Sequence, residues 1–464
     1  MRHARFDLLP RAHDRRAGDR PWPVCERRRL GSDRGDGHSA RDRRHGHDRR
    51  RVAAQDLAPA PALQHGRALI AVAEARARVL QASAPLGHES VTLDAALDRV
   101  LARGVRATGD VPPFACAAMD GYAISAGPGK RGLRVIGESR AGAPSQERIG
   151  EDDAIAISTG AALPAGASAV IRQEDVVRRG SVIDARAAVG TGADIRGAGE
   201  DMRAGETVLA AGTKLGACEL AAAAAAGAAE LTVVRRPRVC ILCTGDELRA
   251  PGLPLRAGEI HNSGGPMLAA LARRCGAIVA PVQSLPDRRD AIVAGLASAL
   301  QRSDLVIVSG GVSVGPHDHV KAALAKRGAS EVFWGVALQP GKPVWFGSAG
   351  ATLVLALPGN PVSAAVTFSL FARVALTALQ GDPTPQVLDR RARLGVTVLR
   401  HPRCERALCV RLQPDDSCTR AFPSGRQGSH LLTSLLGADA FALIPPGEGE
   451  LAAGSMVALV APAR

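Results

Sequence analysis

The stretch DLVIVSGGVSVGPHDHVK, residues 304–321, runs from an unbroken apolar segment through a glycine loop into helix-forming residues. An apolar run without polar alternation reads as a strand buried on both faces. The same pattern recurs on either side. Upstream lie VCILC (239–243), PMLAALARRCG (266–276), AIVAPV (277–282) and RDAIVAGLASALQ (289–301); downstream lie HVKAALAKRG (319–328), TLVLAL (352–357) and VSAAVTFSLFARVALTAL (362–379). Strand followed by amphipathic helix, repeated, predicts a doubly wound, mostly parallel α/β domain over 237–382.

Working outward, the pattern changes twice. Residues 111–208 carry short alternating runs broken by Gly and Pro, such as RVIGES, AIAIST and SAVIRQED, and read as a β-rich second domain. After Gly381-Asp-Pro-Thr-Pro385, the runs GVTVL and ALCVRL place a small C-terminal β domain over 383–464. Residues 67–110 read as N-terminal helices and a linker: ALIAVAEARARVLQASAP (68–85) has helical spacing, and VTLDAALDRVLARGVRA (91–107) suggests a second helix. Residues 209–236 read as a linker segment. The expected architecture is therefore a multidomain α/β protein.

Charge excludes one class of partner. The formal net charge of +14 would suggest nucleic acid, but residues 1–66 hold 16 Arg against 9 Asp or Glu, half of the excess. Those residues have no apolar period and read as a disordered or non-native basic extension. Aromatic residues make up 3% of the chain, too few to stack bases, so neither nucleic acid nor membrane is an expected partner. The Ala-rich run near 217–230 contains Glu219 and Glu230, and no other span of membrane-crossing length is read. Nine cysteines without a secretory signal fit reduced, buried thiols in the cytoplasm. Cys240 and Cys243, three apart on a strand, should face opposite ways and form no zinc site.

Ligands of open parallel sheets bind beyond the carboxyl ends of the strands. Three such ends carry loops of small residues: Thr244-Gly-Asp-Glu247, Ser309-Gly-Gly-Val-Ser-Val-Gly315 and Pro358-Gly-Asn-Pro361. Glycines admit a ligand close to the backbone, and free amides at the next helix attract anions. Asp246, Glu247, Asp287 and Asp318 fall on the same edge. Helix capping would explain Asp287 or Asp318 individually. A carboxylate beside a phosphate instead calls for a cation between them, and Mg2+ is the expected cofactor. No G-x-x-x-x-G-K-[ST] occurs, which excludes a P-loop hydrolase.

The runs TGDEL (244–248), SGGVSVGPHDHVK (309–321), QPGKP (339–343) and LPGNPVSA (357–364) resemble the molybdopterin molybdenumtransferase family, which includes the gephyrin E domain. PPFACAAMDGYAI (112–124), AISTGAALPAGASAVIRQED (156–175), IRGAGEDMRAGE (195–206) and SGRQGSHLLTSL (424–435) extend the resemblance over about 68–464. It implies a homodimer whose site lies between the doubly wound domain of one chain and the β-rich domain of the other. It also implies Mg2+-dependent conversion of adenylyl-molybdopterin and molybdate to molybdenum cofactor and AMP, with the adenylyltransferase that makes the substrate as a candidate partner.

By resemblance, Asp120, Asp201, Asp287 and Asp318 are the catalytic candidates, with Asp287 and Asp318 at the metal. Thr159, Arg196, Gly245, Glu247, Ser309, Gly310, Gly311, Lys321, Lys342, Pro358, Gly359, Asn360 and Pro361 are the substrate-binding candidates. The chain departs from the family at Ala115, Cys116 and Ala117, where many members are polar, and at Gly335 and Gln339, where many are basic; altered contacts to molybdate or phosphate are implied. Two rival readings are the adenylyltransferase itself, usually a single domain without the MDGYA and GED segments, and a gephyrin-like scaffold without catalysis.

Overall fold

The computed structural model describes residues 68–127, 131–312, 319–384, 390–415 and 418–462. Its central sheet is built on Arg238–Thr244, whose apolar residues are buried on both faces. That strand pairs in parallel with Ile278–Val279 and Gln283–Leu285 on one side and with Leu305–Ser309 on the other. Leu305–Ser309 pairs in parallel with Thr352–Leu357, and the antiparallel strands Trp345–Ala349 and Ser330–Trp334 complete the sheet.

Side-chain parity along Arg238–Thr244 feeds two separate cores. Val239, Ile241 and Cys243 pack into one, while Cys240 and Leu242 pack into the other. The two cysteines therefore do face opposite ways, as a two-residue period requires. None of the eight described cysteines is disulfide-bonded; Cys240, Cys243, Cys404 and Cys409 are buried as expected, whereas Cys418 is half-buried.

Residues 361–379 form one continuous helical element, Pro361–Thr367, Phe368–Ala372 with π geometry, and Arg373–Leu379. This 19-residue element is long and apolar enough to cross a membrane, which corrects the expectation that no such span exists. It is 89% buried, however, and serves as the core helix under the sheet. Helix Val72–Ala82 packs against it through Val72, Ala75 and Val79.

The helix expected within 91–107 does not form. His88–Thr92 is instead a strand paired antiparallel with Glu230–Val234, and Val105–Arg106 pairs with Thr207–Leu209. Residues 209–236, read as a linker, supply helix Ala217–Ala225 and the strand Glu230–Val234 to the same body, with Leu101, Leu215, Leu231 and Val233 in its core. Partners some 140 residues apart in sequence override the local helical spacing.

The β-rich chain between these halves forms a six-stranded sheet ordered Ala169–Arg172, Gly121–Ile124, Asp153–Ile157, Leu133–Ser139, Val182–Ala185 and Val176–Arg179. In the C-terminal domain, Glu405–Pro414, Thr419–Pro423, Arg390–Leu394, Met456–Val460 and Ala440–Ile444 pair in that order. Glu405–Pro414 also pairs with Ala440–Ile444, which closes the ring and removes free edges. Leu338–Gln339 from the doubly wound domain adds to Glu405–Arg406.

Asp304 ties the base of the sheet to the N-terminal body. Its carboxylate accepts two 2.7 Å bonds from the Arg235 guanidinium and a 2.8 Å bond from the backbone N–H of Arg238. Burial opposes ionisation, but these donors prevail and hold the carboxyl below its ordinary value of 3.8. A depressed folded value means stabilisation that is complete above the ordinary value and lost as pH falls through the folded one. Asp304→Asn should therefore lower stability near neutral pH by about 2 kcal/mol, allowing for the partly exposed arginine. Thermal unfolding across pH should show the gap between variant and parent closing below about pH 4.

Candidate functional site

Parallel register brings four strand ends to one edge. Thr244 lies opposite Leu285, Cys243 opposite Ser309, and Ser309 opposite Leu357. Gly245, Asp246, Glu247, Asp287, Gly310, Gly311 and the loop from Pro358 to Pro361 follow directly, so the doubly wound candidates do converge. The exception is Asp318, which lies outside the described residues.

The glycine pair after Leu305–Ser309 has a steric reason. Gly310 and Gly311 sit at φ +96° and +64°, and a Cβ on Gly310 would come within 2.7 Å of the Thr244 carbonyl oxygen. The backbone thus lies flat across the neighbouring strand end, with Gly359 against it. Beneath the pair is the Thr244 hydroxyl, buried and without a hydrogen-bond partner among the described residues. An orphaned buried hydroxyl under a ligand-sized loop is a group awaiting a partner. Sequence reading passed over Thr244, although its place as the last residue of the strand was a usable signal.

Asp287 does not cap the helix that follows: the cap position of Arg289–Arg302 is Arg288, with no side-chain cap bond. The Asp287 N–H donates to Asp246 Oδ1 at 3.1 Å. Burial, then the Asp246 and Glu247 carboxylates, push the Asp287 carboxyl above its ordinary value, while the backbone N–H of Asp246 and the His319 ring pull the other way. Three acids share one small volume. No preformed set of three metal ligands exists among the described residues. Mg2+ does not need one, since it takes one or two carboxylates and fills the rest of its shell with water and substrate oxygens. The cluster fits that ion.

Cations come from a different quarter than expected. Lys321 sits 3.9 Å over the Trp334 ring, and that indole donates to the Val312 carbonyl. Lys342, in the loop after Leu338–Gln339, faces the C-terminal domain. Burial first, then the charges of Arg403, Arg406 and Lys342, push the His401 imidazole below its ordinary value. The His401 Nδ1 accepts the N–H groups of Arg403 (3.1 Å) and Cys404 (3.0 Å). Asn360 Nδ2 donates to Ser429 Oγ at 3.2 Å and Val362 N–H to the Ser429 carbonyl at 3.0 Å, which fastens the Pro-Gly-Asn-Pro loop to the same domain. Sequence reading named none of His401, Arg403 and Arg406.

The remaining candidates form a second group on the β-rich sheet. Asp120 Oδ1 accepts the Thr159 N–H at 2.6 Å and its hydroxyl at 2.9 Å, and these donors lower its carboxyl. Gly121 is required next to it: a Cβ would lie 1.9 Å from the Ile171 carbonyl oxygen. Arg172 and Asp194, joined by two 2.9 Å bonds, brace the adjoining turn. Arg196, paired by register with Cys116, and Asp201 are both exposed. This sheet shares no hydrogen-bonded strand with the doubly wound sheet among the described residues. No hydrogen bond or ion pair among the described residues joins Asp120, Thr159, Arg196 or Asp201 to the strand-end group.

Three family patterns match in order: the MoeA N-terminal region, domains I and II, over 70–227; a probable molybdopterin-binding domain over 240–378; and the MoeA C-terminal region, domain IV, over 391–461. The chain is 32% identical over 397 residues to the molybdopterin molybdenumtransferase of Haemophilus influenzae, covering 84% of this chain and 98% of that one. It is 36% identical over 303 residues to the protein of the same name from Nostoc sp., covering 63% and 70%. Among solved structures, the molybdopterin biosynthesis moeA protein of Pyrococcus horikoshii OT3 aligns with a TM-score of 0.71 at 30% identity, covering 85% of this chain and all of that one.

Two variants test the two groups. Gly310→Ala should cost about 1–3 kcal/mol of stability through its positive φ and the close Thr244 carbonyl. Thr159→Val removes one donor to Asp120 but keeps the backbone one. The Asp120 carboxyl should then titrate at higher pH than in the parent by NMR, and an unchanged titration would show that the hydroxyl bond carries nothing.

Proposed function

The chain belongs to the molybdopterin molybdenumtransferase family, and on that premise we propose that it inserts molybdate into adenylyl-molybdopterin, with release of AMP and dependence on Mg2+. The convergence of three acids with the backbone-lined loops at the same sheet edge carries this reading. Substrate and co-substrate are both anions, so the edge must supply amides and cations while its carboxylates hold a counter-ion. One or two carboxylates of the cluster, Asp287 first among them, would hold Mg2+, which when bound would polarise the phosphoanhydride oxygens. The glycine loop lets the nucleotide phosphates approach the backbone closely. Lys342, Arg403 and Arg406 offer fixed positive charge for the molybdate dianion. The depressed His401 stays neutral near pH 7 and adds no charge of its own. Free cysteines throughout the described chain accord with work in the cytoplasm.

The working unit is a homodimer, in which Asp120, Thr159, Arg196 and Asp201 of one protomer close over the strand ends of its partner. Support comes from apolar side chains left exposed beside the Asp120 turn. Phe114 and Met119, flanking the Asp120 turn, are 47% and 38% exposed, as suits side chains that a second protomer would cover.

Purified protein should release AMP from adenylyl-molybdopterin only when molybdate and Mg2+ are both present; consumption of ATP would instead indicate the adenylyl-transfer step. Asp287→Ala should slow release by about 10²–10³-fold. Mixing inactive Asp120→Ala and Asp287→Ala chains under conditions of subunit exchange should restore about a quarter of parental activity, because half of the dimers are mixed and each has one intact site. No restoration would place the whole site within one chain.

A further inference from the structure

A cavity of about 520 Å³ opens at the amino-terminal edge of the doubly wound sheet. Arg236 reaches it from just before Arg238–Thr244, and Arg273 and Arg274 from the last turn of helix Gly264–Arg274. Arg373 and Lys214 join from the core helical element and from the N-terminal body. The 19-residue element from Pro361 to Leu379 starts at the strand-end loops and finishes at this cavity. At 1.5 Å per residue, about 18 Å of helix separates Pro361 from Arg373, the first residue of the element to line the cavity. The cavity is thus no part of the site described above.

Five basic side chains line it against two carboxylates, Asp98 and Asp382. Lys214 lies 3.4 Å from Asp382, and Arg373 donates to the Ala461 carbonyl at 3.0 Å. Arg236, Arg273 and Arg274 have no carboxylate partner among the described residues. Helix-end electrostatics would account for Arg273 and Arg274 at about 0.3–1 kcal/mol each, but not for Arg236 or Lys214, which arrive from other segments. Nor are the arginines needed to satisfy helix-end carbonyls: the Gln380 amide donates to both Cys275 O (2.7 Å) and Leu376 O (2.8 Å).

The lining also limits the chemistry. It contains no aromatic ring, so it offers no platform for a nucleobase. Burial pushes the Cys275 thiol up to about 11, so it stays protonated and the cavity has no nucleophile from that source.

We propose that this cavity is a binding site for a small molecule bearing two adjacent phosphate groups, recognised through the phosphates by the arginine forks. The excess of three cations is close to the charge of such a group, at about −1.5 to −2 per phosphate. Because Lys214 and Asp98 belong to the N-terminal body and the arginines to the doubly wound domain, the ligand bridges the two and restrains their relative motion.

Inorganic pyrophosphate is the probe, titrated calorimetrically into the full chain at low ionic strength. The parent should bind it, and the Arg236→Gln/Arg274→Gln double variant should bind it at least about tenfold more weakly, with its melting temperature unchanged in the absence of ligand. Lys342→Gln, at the strand-end site, should leave this binding in place. Equal affinity in parent and double variant, loss of binding in Lys342→Gln alone, or no binding by the parent would each overturn the proposal.

Discussion

Parallel pairing of Arg238–Thr244, Leu305–Ser309 and Thr352–Leu357 is the constraint on which the rest of the molecule depends. Parallel strands in register end together, so the loops after Thr244, Ser309 and Leu357 have no choice but to share an edge. Each must then turn sharply into a helix without filling the space above the sheet. Gly310, lying against the Thr244 carbonyl, shows how tightly that requirement binds. A parallel sheet also requires cover on both faces, and the two cores fed by alternate residues of Arg238–Thr244 supply it.

The surrounding domains solve problems that this edge creates. An edge crowded with Asp246, Glu247 and Asp287 would repel an anion unless positive charge came from elsewhere. The C-terminal barrel delivers Arg403 and Arg406 beside Lys342 and is held to the Pro-Gly-Asn-Pro loop through Ser429. At the opposite edge, Arg235 and Asp304 anchor the N-terminal body.

Local patterning made the central sheet legible. The apolar runs, the glycine loops and the acids after strand ends all lie within a few residues of one another, and the opposed faces of Cys240 and Cys243 followed from strand parity alone. What depended on distant partners was hidden. Residues 91–107 have helical spacing, yet His88–Thr92 is captured by Glu230–Val234, and nothing local announces that partner. The supposed linker 209–236 is the other half of the same body. The cations around His401 were missed because HPRCER reads as an ordinary polar turn until Leu338–Gln339 pairs with Glu405–Arg406. Thr244 shows the reverse: its position was plain, but only the absence of a partner for its buried hydroxyl marks it.

The most direct test of the account is the fate of molybdenum itself. The purified chain, incubated with adenylyl-molybdopterin, Mg2+ and molybdate and then freed of unbound oxyanion, should yield a pterin fraction carrying about one molybdenum per pterin. A pterin recovered intact but without molybdenum, from a correctly folded protein, would contradict the insertion reaction and leave the strand-edge site as a place of binding only.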